Sequence, residues 1–429
     1  MPEPTSSTPL VEIGTTGLKR SSGFIHEEFL RELQGQRAIK VYREMASNDP
    51  IVGAILFALT TLIKRVTYII EPADDSPEAE ENAEFIDQAL GDLNVPWSDV
   101  ISEICTMFEF GFAPLELVYK KREGPDQPDP ARRSKYTDGM YGWRKMALRA
   151  QETVYQWLFD DTGGIRGFIQ LDTNVAKSVE IPIERILLFR TTIIKGNPEG
   201  RSILRNAYRP WYFKRHIEET EGIGIERDLA GLPVGWVPPE ILAPTATPEQ
   251  VASKNTMEQI IRNIRRDEQE GVIWPLAYDA QGNKLYDLTL LSTGGNRQFD
   301  TNAIIARYDA RIAQTILADT ILMGHEKVGS YALAESKNDL FTMAITSFVD
   351  GMCSVINRFA IPKLFKLNGN STQLLPKMNH SEIEKVDFKL LTEAIKNLSG
   401  AGAVLFPDDE LENHLRKLAK LPAKANTEI

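Results

Sequence analysis

Apolar residues recur at helical spacing along most of this chain, with a central block in which they alternate instead. The spacing predicts a polar helix over Glu27–Ala46. Asn48-Asp49-Pro50 then predicts a second start, with Asp49 as N-cap and Pro50 in the first turn, running to about Lys64. Val66–Ile70 reads as a strand ending at Glu71-Pro72. An acidic run from Asp74 leads into a helix to Leu90. Val100, Ile101, Ile104, Cys105 and Phe108 mark a helix over Trp97–Phe110, closed by Gly111. Leu115–Tyr119 reads as a strand, and the Pro-, Arg- and Asp-rich residues 122–140 as an exposed insertion.

From Ala147 to Phe189 the period shortens. Val154–Phe159 and Gly167–Leu171 read as strands around the turn Asp160-Asp161-Thr162-Gly163-Gly164, and Ile186–Phe189 as a third. Asn197–Ser202 opens a long helix to about Leu229, ended by Gly231 and Pro233. Pro-rich loops at 237–248 lead to a helix at 249–269, then strands at Val272–Pro275 and Lys284–Leu291. Phe299–Ala318 carries Ile305, Tyr308, Ile312 and Ile316 on one stripe. Helical periodicity breaks over Gly324–Ser330 and resumes from Leu333 to Phe365, with Pro362 bending or ending the helix. Helices at about 381–398 and 408–419 complete the pattern. Residues 1–25, rich in Ser, Thr, Pro and Gly, read as a flexible arm.

Composition narrows the classes. The 429 residues are 42% hydrophobic and 25% charged, an ordinary globular balance for a chain long enough for several subdomains. The longest apolar stretch, Ile51–Ile63, falls short of the roughly 20 residues a bilayer span needs. Met1–Pro9 carries neither the basic nor the apolar part of a signal peptide. A net charge of −11 argues against a surface that grips nucleic acid by neutralising phosphates. It leaves room for a surface that nucleic acid passes.

Chemistry is sparse. Cys105 and Cys353 lie far apart in apolar helical patterns, so the expectation is two buried thiols, not a disulfide framework or Cys-based zinc site. His26, His216, His325, His380 and His414 form no metal-binding spacing. No phosphate-binding glycine loop and no nucleophile elbow occur. Gly222 and Gly224 lack the strand and third glycine of a dinucleotide site. Asp160-Asp161 reads as a hairpin turn, not a metal ligand pair. No cofactor, metal or enzymatic activity is expected.

The order of elements from Asn197 onward is distinctive. A Gly196-Asn197-Pro198-Glu199-Gly200-Arg201-Ser202-Ile203-Leu204-Arg205 entry precedes a long helix with Tyr208, Trp211, Tyr212 and Phe213. A small αβ segment follows, then Ala313–Ala318 in a second long helix, Gly329–Ala334, and Asn357–Leu364 in a third. Asp387, Leu398, Gly402, Pro407 and Leu421-Pro422 follow in the tail. In this order the chain resembles the portal proteins of tailed bacteriophages, nearest the Mu-like portal family, over about residues 40–422. The resemblance implies an α+β portal-type fold, assembled as a ring of identical subunits, typically twelve, at one capsid vertex of a virion built in the host cytoplasm. It implies a wing at 26–200 and stem helices at 201–229 and 297–320. Between them lies a small αβ clip at 230–296. A tunnel loop at 321–334, a long wing helix at 335–366 and a helical crown and tail at 367–429 follow. Partners would be the major capsid protein, the terminase large subunit, and a head-completion or adaptor protein. Double-stranded DNA would pass without sequence-specific contact. The motor would be a separate protein, since this chain has no nucleotide-binding loop.

The helix over 201–229 begins basic, with Arg201, Arg205, Arg209, Lys214 and Arg215, and ends acidic, with Glu218, Glu219, Glu221, Glu226 and Asp228. A gradient of that kind suits a heterologous contact between like subunits. Arg205, Tyr208, Trp211, Tyr212, Glu218 and Glu219 are therefore expected at the subunit interface. Two other readings stay open at this point: a metal-dependent nuclease using scattered carboxylates, and an adaptor that binds only proteins. By the resemblance, Gly324, His325, Glu326, Lys327, Gly329 and Ser330 face DNA in the tunnel loop. A ring of Lys327 side chains would touch phosphates without reading bases. Reversing that charge with Lys327→Glu should change DNA retention or packaging yield while rings still assemble; unchanged DNA content in variant particles would remove the assignment.

Overall fold

A computed structural model describes residues 14–172, 177–230, 232–263, 277–278, 281–291, 300–316 and 331–381. The elements through His380 belong to one unit. A two-residue hairpin pairs β1 (Arg20–Ser21) with β2 (Phe24–Ile25). Ile25 is buried, and the Trp157 amide donates to the Gly23 carbonyl. The expected arm thus ends in ordered structure, because one apolar side chain and one strand-edge hydrogen bond hold it.

Helix α1 spans Gly35–Asn48, later than the expected start at Glu27. Residues 31–33 form a 3-10 turn first, and the Glu28 carboxylate takes up the amides of Phe29 and Leu30. Helix α2 (Pro50–Lys64) starts as expected. Asp49 accepts from the amides of Ile51 and Val52 at 2.9 and 3.1 Å, satisfying two of the unpaired N–H groups of a helix start. The chain bends by 93° between α1 and α2. No single helix among the described residues is long and apolar enough to cross a membrane.

Strand β3 is Tyr68–Glu71, α3 is Pro77–Gly91 and α4 is Trp97–Phe110. Gly111 closes α4 at φ 96°, a left-handed conformation that glycine adopts without steric cost. Strands β4 (Phe112–Lys121), β5 (Tyr141–Leu148) and β9 (Ile186–Arg190) form one antiparallel sheet in the order β5-β4-β9. Strands β6 (Val154–Phe159), β7 (Ile165–Asp172) and β8 (Lys177–Pro182) form a second, in sequence order. Trp157 sits between Phe112 and Phe168 in edge-on contacts of 5.6 and 5.4 Å, with Ile25, Val154, Ile181, Ile186 and Leu188 in the same apolar cluster. The turn before β7 is the one read from sequence. Asp160 accepts from the Thr162 and Gly164 amides, and Gly163 takes φ 91°.

The stretch 122–140 is mostly exposed, as its composition suggests, and is anchored by a few buried residues. Arg122 and Ser134 are buried, and Lys120 at its foot is 2% exposed. The Lys120 ammonium meets Asp92 at 3.2 Å and donates to the Arg133 carbonyl; the Ser134 hydroxyl donates to Asp92. Arg122 lies over the Tyr136 ring at 4.0 Å and pairs with Asp138. These few polar residues secure an otherwise exposed loop to the body.

Helix α5 spans Tyr208–Ala230. Strand β10 (Leu232–Trp236), helices α6 (Pro239–Leu242) and α7 (Pro248–Asn263), and strand β11 (Asp287–Leu291) follow. Helix α8 (Thr301–Thr315) is capped by Asp300. Helix α9 (Tyr331–Val355) passes through a π-helical turn at Ile356–Ala360 into α10 (Ile361–Leu367). Pro362 sits in the first turn of α10, so the rotation continues past it. Strand β12 (Lys377–His380) pairs antiparallel with β3, an element the pattern did not reveal. Residues 361–380 therefore pack with the body, not in a separate crown starting at 367. Asn357 fixes this return, its side chain both donating to the Met378 carbonyl and accepting from the Met378 amide. The helices expected at 381–398 and 408–419 and the strand at 272–275 lie outside the described residues.

One buried cation joins the parts. The Lys214 ammonium on α5 reaches Asp49, the α2 cap, at 3.0 Å and Asp309 on α8 at 2.6 Å. Lys214 and Asp49 are nearly inaccessible. Burial alone would lower the lysine pKa, but bonds to Asp309 and Asp49 outweigh it and hold the pKa above its ordinary value. Lys214→Met would leave two carboxylates facing one another without their cation, a loss expected to cost roughly 3–5 kcal/mol. Denaturant titration of the variant should show that drop; a midpoint within error of wild type would overturn this account.

Candidate functional site

The candidate site is the region that positions the α5/α8 helix pair. Among the described residues, no group of three His, Cys, Asp or Glu side chains could hold a metal ion. Cys105 and Cys353 are buried, and burial pushes their thiols up to about 12 and about 11. Of the acid residues after His26, Glu27 pairs with Lys195 at 3.0 Å, and Glu28 forms a two-point contact with Arg205.

The joint between body and helix pair is built from the Asn197–Ser202 segment. The expected helix does not open there. Asn197 accepts from the Glu199 amide, Ser202 caps a 3-10 turn at Ile203–Arg205, and α5 begins only at Tyr208. The segment is held at the C-terminal end of α4. The Ser202 hydroxyl donates to the Glu109 carbonyl at 2.5 Å, and the Thr191 hydroxyl donates to the Arg201 carbonyl. Gly111 and Gly200, both at positive φ, lie back to back. A Cβ on Gly111 would stand 2.5 Å from the Glu199 carbonyl, and one on Gly200 2.3 Å from the Gly111 carbonyl. Backbone meets backbone here, so neither position admits a side chain.

Glu199 itself faces a 480 Å³ cleft lined by Ile25, Ala38, Phe110, Phe112 and Trp157. The Trp157 indole donates to its carboxylate at 3.3 Å. Burial pushes this carboxyl up to about 7, with the indole bond offsetting part of the rise. Glu109 nearby is likewise raised to about 7 by burial, against the Arg43 charge.

Helices α5 and α8 pack antiparallel. Phe213 stacks on Tyr308 at 6.5 Å, Lys214 meets Asp309, and Glu221 accepts from the Thr301 hydroxyl. Between their far ends lies the inserted module. Strands β10 and β11 pair antiparallel from Leu232↔Leu291 to Trp236↔Asp287, and Ile241 and Met257 are buried among α6, α7 and β10. Trp236 and Leu242 stay about 60% exposed on it.

The interface residues read from sequence divide three ways. Tyr208 and Trp211 are buried inside the subunit, so they are core residues and not exposed interface aromatics. Their rings pack on each other, and Tyr208 donates to Glu32. Arg205 lies before the helix and is used by Glu28. Tyr212, Glu218 and Glu219 remain on the surface, with Glu219 paired to Arg215 at 2.9 Å. Sequence reasoning missed Lys214 as the bond between helices and Glu199 as the carboxyl of the cleft. A lysine amid aromatics, and a glutamate between proline and glycine, were the available signals. Gly324, His325, Glu326, Lys327, Gly329 and Ser330 lie outside the described residues.

This order of body, joint and paired helices around an inserted αβ module is that of a portal-type subunit. The family model for the portal protein of Mu bacteriophage matches residues 39–416, and the chain belongs to that family. Among solved structures, the neck of an empty gene transfer agent (GTA) particle computed with C6 symmetry matches with a TM-score of 0.50. It shares 12% identity and covers 90% of this chain and 94% of that one. The neck of a native GTA particle computed with C12 symmetry matches at TM-score 0.49 and 11% identity, over the same shares.

Because the folded pKa of Glu199 lies above its ordinary value, the folded state holds the proton more tightly. Its contribution to stability is complete below about pH 4.5 and is lost as pH rises through about 7. Glu199→Gln should therefore melt within about 1 kcal/mol of wild type at pH 5 and gain roughly 3 kcal/mol over it at pH 8. Parallel wild-type and variant melts across that range, with no divergence, would contradict the buried carboxyl.

Proposed function

We propose that the chain assembles as a closed ring of identical subunits, typically twelve, at one vertex of a capsid. Double-stranded DNA enters and leaves through its axis. The observation that carries this reading is the match of the portal family over residues 39–416, joined to an antiparallel helix pair that brackets a separate αβ module. The solved relative belongs to a particle neck, which supports a place in the virion. Physical chemistry agrees with a conduit. A wall that bound phosphates tightly would stall a moving polymer, and a chain of net charge −11 does not favour such binding. The role is structural. The energy for packaging comes from a separate terminase.

In this reading the module at 230–296 is the clip. It docks the terminase large subunit during packaging and a head-completion protein afterwards, and exposed Trp236 and Leu242 are suited to such exchange. The body docks the major capsid protein, and the 321–334 segment lines the tunnel. Assembly takes place in the host cytoplasm. Negative-stain images of purified protein and of particles test the ring directly. Replacing residues 232–291 by a short linker should abolish terminase docking while the body keeps its melting transition. Docking retained by that variant would refute the clip assignment, and monomers in particles would refute the ring.

A further inference from the structure

The α5/α8 pair carries an unfilled groove that the function so far does not use. Phe213 and Tyr308 form its floor; Phe213 is 43% exposed. Arg209 and Arg311 line it, and Arg307 stands beside the Tyr308 ring. Arg209 lies 5.9 Å from the Phe213 ring, and Arg307 and Arg311 lie 5.3 and 5.9 Å from the Tyr308 ring. All three arginines are exposed, and none forms an ion pair with another described residue. Like charges gathered over an apolar floor repel one another until an anion joins them.

The same helix carries the complementary charge. Glu218 and Glu219 on α5 are each about half exposed. From Phe213 to Glu219 is six residues, so the carboxylate stands ~120° round the helix from the groove and ~9 Å along it. One flank of the pair is thus aromatic and cationic, and another presents two half-exposed carboxylates beside Arg215 and His216. Two different patches on each copy give a head-to-tail contact, which closes into a ring when the rotation permits.

We infer that the Arg209–Phe213–Tyr308–Arg311 groove receives the Glu218–Glu219 edge of a neighbouring copy of this chain. This rests on the ring reading and specifies its contact. A second copy fits better than nucleic acid because the floor is apolar and gains from being dehydrated by protein. Arg215 and Lys214 hold the two carboxylates in place for that docking.

Charge reversal on the full chain tests the contact. Arg209→Glu with Arg311→Glu, and separately Glu218→Lys with Glu219→Lys, should each lower the ring fraction about tenfold by light scattering. Equal mixing of the two variants should restore rings, because each then meets only an opposite charge. Thermal melts accompany both. If a reversed variant misfolds, Arg209→Ala with Arg311→Ala takes its place and should make assembly measurably weaker. Rings at wild-type yield from any folded variant alone overturn the inference but leave the ring standing, as does a mixture that stays monomeric. Normal rings that lose DNA retention overturn it too, and assign the groove to nucleic acid. Wild-type protein that forms no ring even in particles defeats the underlying reading itself.

Discussion

A single ammonium group holds the geometry on which everything else rests. Lys214 is buried between Asp49 and Asp309, and each of those carboxylates belongs to a different structural part. Asp49 already accepts from the first turn of α2, so its position is set by the body. Asp309 belongs to α8, and Lys214 to α5. The cation therefore fixes the azimuth of both long helices relative to the body at one point. A buried charge is expensive to desolvate, and the cost is met only while both partners stay within reach. Rotation of α5 by even a fraction of a turn would strand it.

The joint at Asn197–Ser202 works by the opposite means. There the contacts are backbone on backbone, with Gly111 and Gly200 allowing the approach. The Ser202 hydroxyl satisfies the Glu109 carbonyl at the end of α4, and the Thr191 hydroxyl satisfies the Arg201 carbonyl. The Glu199 carboxyl, held beside Trp157, and Glu109, whose carbonyl receives Ser202, are both raised by burial to about 7. Charge fixes the helices, and close packing fixes the turn that launches them.

Much of the body was legible in the sequence because its signals are local. Asp49-Pro50 and Gly111 each act within one turn, and the structure puts helix boundaries where those residues predict. The portal resemblance likewise rested on the order of elements, and the family match extends over most of the chain. What was not legible depends on distant partners. Strand β12 is four residues long and becomes a strand only by pairing with β3. Strand β8 has four exposed residues in a row, so it shows no apolar alternation. Tyr208 and Trp211 look like interface aromatics, but they are buried within the subunit, with Tyr208 donating to Glu32. The start of α5 was misplaced because Asn197-Pro198 and Ser202 are also good capping residues; here they build a turn.

The pairing of β3 with β12 sets an order in time as well as in space. Tyr68–Glu71 leaves the ribosome some three hundred residues before its partner Lys377–His380, since Glu71 pairs with Lys377. Until then the edge of β3 that β12 will cover has unmet hydrogen-bonding groups, and Asn357 has no strand to clamp. Contacts so distant in sequence form late and slowly. The nascent body thus stays incomplete through synthesis of both long helices and the module between them. A subunit interrupted before residue 380 would carry the α5/α8 surfaces on an unfinished base, with an open strand edge that favours aggregation over orderly assembly.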